Sequence, residues 1–235
     1  MSREISFKSK IQFVNKEQFK KIVQKSARWK KSNIDHNSNY IKYGMNFHTT
    51  KIRTCTAGGF IIPQKKSCGF HILNSAFFNE KLDWIFQSTF FNIQPERALL
   101  IGSKKYDGVK YSLENFKKIK EIVTSKVKDV SIFECHRFPY SESNFHYSAS
   151  KDTWTILGQY NYKGKDIQVT TLKDLKRLYK KITIAKGDRL FINGTEILPK
   201  NCPRIFLDKQ PLTTTKSYFR AFIDKITSFF KHDKH

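Results

Sequence analysis

The sequence predicts an α+β protein with a mixed, β-sandwich-like core flanked by helices. Three observations carry this reading. Short apolar runs recur between turn-forming residues, at Gly59-Phe60-Ile61-Ile62, Phe70-His71-Ile72-Leu73, Ala98-Leu99-Leu100-Ile101 and Val130-Ser131-Ile132-Phe133, and such runs read as buried strands. Stretches of helical period lie between them: Leu113, Phe116, Ile119, Ile122 and Val123 recur every few residues along one face. Finally, Asn193-Gly194 separates Arg189-Leu190-Phe191-Ile192 from Thr195-Glu196-Ile197-Leu198, and Asn-Gly favours the type I′ turn of a hairpin.

A chain of 235 residues, 39% apolar and holding 21 Phe, is long enough to bury a sizeable core. It fits one large domain, or one domain with an appended piece. No apolar run approaches the roughly 20 residues of a membrane helix. The opening MSREISFKSK has no apolar signal-peptide centre, so ordinary secretory export is not expected. Four scattered cysteines, Cys55, Cys68, Cys135 and Cys202, do not make a disulfide scaffold and read as reduced thiols.

In chain order, residues 8–31 are basic and partly helical, with Phe13, Val14, Phe19, Ile22 and Val23 as one apolar stripe. The stripe suits packing on the core, or a docking segment. Residues 32–40 read as a loop and 40–47 as a first strand. After the two runs around residues 59–73, residues 80–91 read as a buried helix whose apolar set includes Leu82, Trp84, Ile85, Phe86 and Phe90. The strand at 98–101 leads through a polar turn at 103–108 to a helix with Ser112 as its N-cap. The strand at 130–135 is followed by a polar segment carrying His136, Tyr140, Glu142 and His146, a candidate substrate rim. Its two histidines read as solvated or locally satisfied. Trp154-Thr155-Ile156-Leu157 and Tyr160-Asn161-Tyr162 read as strands, and residues 171–180 as a basic helix. Residues 215–231 form an amphipathic pattern, with Phe219, Phe222, Ile223, Ile226, Phe229 and Phe230 on one face. It suits a core-capping helix, or one that contacts an anionic membrane. Three segments result: 1–39, a basic helical N-terminal piece; 40–155, a core; and 156–235, which completes that core or binds a partner.

The stretch His48 to Ser75 organises the rest. Cys55 lies just before the first of its two apolar runs and His71 lies inside the second, so adjacent strands can bring a thiol and an imidazole together. A free thiol ionises near about 8.5, and a neighbouring imidazole can take its proton to give the thiolate nucleophile. Thr49 or Thr50 can orient the ring through a hydroxyl. The small residues Thr56, Ala57, Gly58 and Gly59 would leave space over the sulfur, with backbone N–H groups for an oxyanion. Cys68-x-x-His71 has metal-ligand spacing, with Cys55 or Cys135 as further ligands, but zinc sites usually carry two such short spacings. Taken alone, the residues indicate Cys–His thiol chemistry, which fits a protease, a transglutaminase-like transfer, an acyl transferase or an amide hydrolase.

Thr49 stands six residues before Cys55, and His71 sixteen after it. This order resembles the Thr…Cys…His of CheD-type glutamine deamidases, a core shared with the cytotoxic necrotizing factor domain and Burkholderia lethal factor. Gly69-Phe70-His71-Ile72-Leu73 is similar to the family's histidine strand. Arg53-Thr54 stands where the family carries Gly-Ser or Ser-Gly before the cysteine. The likeness continues through Ala98-Leu99-Leu100-Ile101-Gly102 and Val130-Ser131-Ile132-Phe133-Glu134, covering residues 46–155. The resemblance implies the deamidase fold for this core and hydrolysis of a target protein's glutamine to glutamate. Cys55 would then be the nucleophile, His71 the acid–base and Thr49 its orienter, with no cofactor and no metal. Within that resemblance the role is a receptor-modifying chemotaxis enzyme or an injected bacterial effector, and the extra basic N- and C-terminal elements favour the effector, made in the bacterial cytoplasm and injected into the host cytosol. There it would act on a host protein such as a small GTPase or a translation factor.

The charge is +24, from 44 basic and 20 acidic residues. Such a field attracts acidic protein surfaces, anionic membrane or nucleic acid. No recognised nucleic-acid motif is present, so a nucleic-acid partner is not expected. The rival reading is a non-catalytic basic module that holds nucleic acid or anionic lipid by charge alone.

Overall fold

Strand β4 (Thr56–Ile62) carries no charged residue, and residues 56–60 are buried on both of its faces. Ala57 points into one core and Phe60 into another. The computed structural model in which this is seen describes residues 9–27, 41–44, 46–62, 66–73, 79–104 and 110–206.

Two sheets stack face to face. The first has seven strands, in spatial order β13 (Thr195–Ile197), β12 (Arg189–Ile192), β1 (Lys10–Phe13), β9 (Thr153–Tyr162), β8 (Glu142–Ser148) and β3 (Asn46–Ile52), with β10 (Lys165–Gln168) also paired to β9. The second has six: β11 (Tyr179–Thr183), β7 (Asp129–His136), β6 (Arg97–Lys104), β4, β5 (Lys66–Ile72) and β2 (Ile41–Gly44). Both sheets are mixed, since β1 runs parallel to β9 and β12, and β6 parallel to β7. Phe47, Phe145, Trp154 and Phe13 of the first sheet meet Ala57, Leu99, Ile101 and Phe133 of the second in the inter-sheet core. Helices α2 (Asn79–Asn92) and α3 (Lys110–Lys126) cover the other face of the second sheet. There Leu82, Phe86, Phe116 and Ile119 pack on Phe60, Phe70 and Leu100. The expected α+β class and the helix-flanked double sheet are therefore present.

Several elements differ from the expectation. Phe13 belongs to β1 and the inter-sheet core, so the N-terminal stripe divides. Only Phe19 and Val23 of α1 (Lys16–Ala27) pack with Val14 against Leu157. Trp84 is 71% exposed because α2 is covered on one side only and Trp84 faces away. The two strands expected between residues 154 and 162 are one, β9. The expected boundary at 155/156 thus falls inside a strand, and β1 lies between β9 and β12 in the same sheet. Ser112 lies inside α3 and does not cap it. The Asn193-Gly194 hairpin forms as expected, with φ of 47° and 82°. Helix α4 (Leu172–Leu178) opens on a capping box between Thr171 and Asp174. Of the polar turn expected between the two apolar runs, Pro63 to Ser67, the last two residues belong to β5; the rest of it, most of the turn at 103–108, the loop at 32–40 and the pattern at 215–231 lie outside the described residues.

A buried polar network ties the two sheets at one end. Arg97 Nη1 donates to Asp188 Oδ1 at 2.7 Å and Ser131 Oγ to Asp188 Oδ2 at 2.7 Å. Burial outweighs these partners and pushes the Asp188 carboxyl up to about 6.

Candidate functional site

Thr49 is core-facing in β3, on the same side as Phe47. His71 lies in β5 opposite Ala57 of β4, so its ring also enters the inter-sheet space. There Thr49 Oγ1 and His71 Nδ1 meet at 2.7 Å, both residues fully buried. Thr50 is only half-buried, and the bond to His71 is made by Thr49.

Cys55 stands two residues before Ala57. Its carbonyl accepts from Ser103 N–H at 3.2 Å, so the β4–β6 pairing runs on through Cys55. Pleat alternation then sets Cys55 on the face that Ala57 and His71 share. Cys55 is the most exposed of the four free cysteines at 9%, against 0% for Cys68, 3% for Cys135 and 5% for Cys202. Of the three residues singled out in the sequence, Thr49 and His71 are joined, and Cys55 stands one residue before β4, the strand paired with that of His71.

Cys68 and His71 are not brought together. Three positions apart on one strand, they face opposite sides, Cys68 toward the helices and His71 toward the other sheet. Burial pushes the Cys68 thiol up to about 12, against a stabilising backbone hydrogen bond from Phe60. The spacing that resembled a metal motif is therefore split by the strand's period. Among the described residues no group of three or more His, Cys, Asp or Glu side chains is placed to hold a metal ion.

The small residues after Cys55 serve another purpose than the one expected. A Cβ on Gly58 would stand 2.3 Å from the Leu99 carbonyl, and one on Gly59 2.4 Å from the Phe47 ring. These glycines admit close packing from both sides and open no space. Their strand is paired on both edges, to β5 and β6, so its N–H groups belong to the sheet.

His136 and His146, expected as solvated or locally satisfied residues of a polar segment, are buried at 1% and 3% exposure, because His136 ends β7 and His146 lies within β8. Burial pushes both down to about 4, helped by nearby Lys104 for His136 and by His48 for His146. His136 touches the cysteine turn. Its Nδ1 lies 2.9 Å from the Arg53 carbonyl, and its Nε2 lies 2.9 Å from Ser143 Oγ, which meets Tyr179 Oη at 2.5 Å. Ser112 Oγ donates to the Thr54 carbonyl at 2.5 Å and accepts from Lys104 N–H at 2.9 Å. None of these contacts has a local sequence signature. The one available signal was Gly102, the glycine that ends the 98–101 run. At φ +142° it holds a place where a Cβ would lie 2.3 Å from the Cys55 carbonyl.

No family profile matches this chain, and no curated protein matches it significantly.

Proposed function

We propose that this protein is a thiol hydrolase of the CheD and cytotoxic necrotizing factor type, which deamidates a glutamine side chain of a target protein. The observation that carries the reading is the Thr49–His71 hydrogen bond across the two sheets, with Cys55 at the head of the strand paired to that of His71. A hydroxyl fixed on Nδ1 orients the ring. With the hydrogen on Nδ1 donated to Thr49 Oγ1, Nε2 is left basic enough to take the Cys55 proton.

The thiolate attacks the amide carbon and the carbonyl oxygen takes the negative charge. His71 then gives its proton to the nitrogen, and the C–N bond breaks to release ammonia and a thioester. A water molecule, deprotonated by His71, attacks the thioester. Collapse returns the proton to the sulfur and frees the glutamate side chain. The chemistry uses no cofactor. The net charge of +24 supports an acidic target surface, which it would draw in by long-range attraction. A bacterial effector that meets its substrate in a host cytosol fits this reading.

The test is incubation of small GTPases and translation factors with wild type and with Cys55→Ser, followed by intact-mass analysis and ammonia measurement. The reading expects a gain of about one dalton per converted side chain, with ammonia released, from wild type alone. An added amine would mean transfer in place of hydrolysis. The same charge supports the rival reading, a basic module without catalysis. That reading expects an inert Cys55 and binding to polyanions that falls steeply with salt.

A further inference from the structure

Lys163 and Gly164, with φ of 53° and 77°, form the two-residue turn that joins β9 to β10. The pair that closes this turn is Tyr162 and Lys165, and directly opposed residues share one face of a hairpin. Lys163 Nζ lies 5.6 Å and Arg177 Cζ of α4 5.2 Å from the centre of the Tyr162 ring, within reach of a cation–π attraction. Lys163, Lys165 and Arg177 are thus gathered at one half-buried ring, and Phe138, edge-on to it at 5.7 Å, completes an aromatic floor. We infer that this cluster is a docking site for an acidic segment of the target protein, whose carboxylates it takes between Lys163, Lys165 and Arg177.

The inference rests on the deamidase reading and names the surface that the target meets. Like charges held at one ring repel, and carboxylates placed among them relieve that repulsion. The nearby acids are engaged elsewhere. Asp174, one helical turn before Arg177, accepts from Tyr160 Oη–H at 3.1 Å, from Thr171 N–H at 3.1 Å and from Thr171 Oγ–H at 2.6 Å. Asp166 accepts from Asn161 Nδ2 at 2.9 Å. Those two residues oppose each other one step along the hairpin from Tyr162 and Lys165, so they face its other side. The cluster also lies at the end of the fold that carries the cysteine turn. Thr56 pairs with Gly102, Lys104 with His136, and His136 with Tyr179, which sets the head of β4 beside the ends of β6 and β7 and the start of β11. Arg177 stands two residues before Tyr179, and Phe138 two after His136. Phe138 also opens a turn closed by the Ser141 N–H on its carbonyl at 3.2 Å, and on that turn Tyr140 is 77% exposed. An exposed tyrosine beside fixed arginines has the composition of a protein-interface anchor.

Fluorescence anisotropy on the full chain carrying Cys55→Ser, which binds without turnover, tests the site. The probe is a labelled peptide with one glutamine among glutamates. Lys163→Ala, Lys165→Ala and Arg177→Ala are made together, and compared with Lys20→Ala, Lys21→Ala and Lys25→Ala together. The second set removes equal charge from α1, which packs against Leu157 on the opposite face of β9. At equal salt the cluster variant should bind the peptide about tenfold more weakly than the α1 variant. Should the cluster variant fail to fold, Lys165→Glu alone, at an exposed position, should weaken binding about threefold or more. Equal weakening by the two sets would overturn the inference, as would a parent chain that does not hold the peptide. Labelled oligothymidylate that binds more tightly than the peptide, and through the same cluster, would also overturn it and assign the cluster to nucleic acid. Mass analysis of the peptide after incubation with wild type keeps the two levels apart. Cluster-dependent binding without a mass change would keep the docking site and discard the deamidase reading. Deamidation with a KM that the cluster variant leaves unmoved would keep that reading and overturn the docking site.

Discussion

Thr49 Oγ1 and His71 Nδ1 lie 2.7 Å apart, one on each of the two stacked sheets. The bond therefore depends on how the sheets are stacked as well as on the two side chains. Thr49→Val keeps shape and removes the hydroxyl, while Thr49→Ser keeps the hydroxyl. The valine variant should slow acylation of Cys55 by about 10- to 100-fold, less than complete loss of an acid–base group. Serine should retain most of the rate. Equal losses in both variants would assign Thr49 to packing.

Gly102 and the Cys55 carbonyl make a second such pair. In Gly102→Ala the methyl group would stand 2.3 Å from that oxygen, in a backbone at φ +142°. A stability loss of about 2–4 kcal/mol is expected from clash and strain together. Gly164 has φ +77° and nothing within 4 Å of an added Cβ. Gly164→Ala should then cost only the backbone preference, about 1–2 kcal/mol. Denaturant titration of the two variants measures the difference. Only the first should also slow Cys55.

Stability should fall on acidification. His136 and His146 are pushed down to about 4 by burial, and an unfolded histidine ionises near about 6.5. Between these values the unfolded chain binds protons that the folded chain refuses, so each histidine removes up to about 3 kcal/mol as the pH drops. Asp188 acts oppositely. Its folded value of about 6 lies above that of an unfolded carboxyl, so the folded chain takes up the proton first and regains roughly 3 kcal/mol. The net expectation is a loss of about 3 kcal/mol between pH 7 and pH 4. In His136→Asn the remaining histidine and Asp188 oppose each other, and the dependence should nearly vanish.

Much of the candidate site was legible because it lies in a hairpin. The apolar runs around Phe60 and Phe70 read as strands, and pairing them sets His71 opposite Ala57. The zinc-like spacing of Cys68 and His71 failed for the same reason, since a strand's period of two sends residues three apart to opposite faces. What held the turn was not legible. His136 is 83 residues from Arg53, and Ser112 is 58 from Thr54. Ser112 in particular reads as a helix cap from local sequence, while the fold uses its hydroxyl to join two other segments. The first sheet was similarly hidden, because β1 enters it between two strands from the far end of the chain, pairing Lys10 with Thr153 and Arg189. Nothing local marks such a parallel insertion.

Timed iodoacetamide labelling at pH 7, with each modified cysteine identified by peptide mass, tests the central claim most directly. The account predicts that Cys55 is alkylated first and that His71→Ala slows it by about tenfold or more. Cys68, its thiol pushed up to about 12, should remain unmodified until the chain unfolds. A Cys55 no faster than Cys202, or one indifferent to the loss of His71, would contradict a nucleophile at this position.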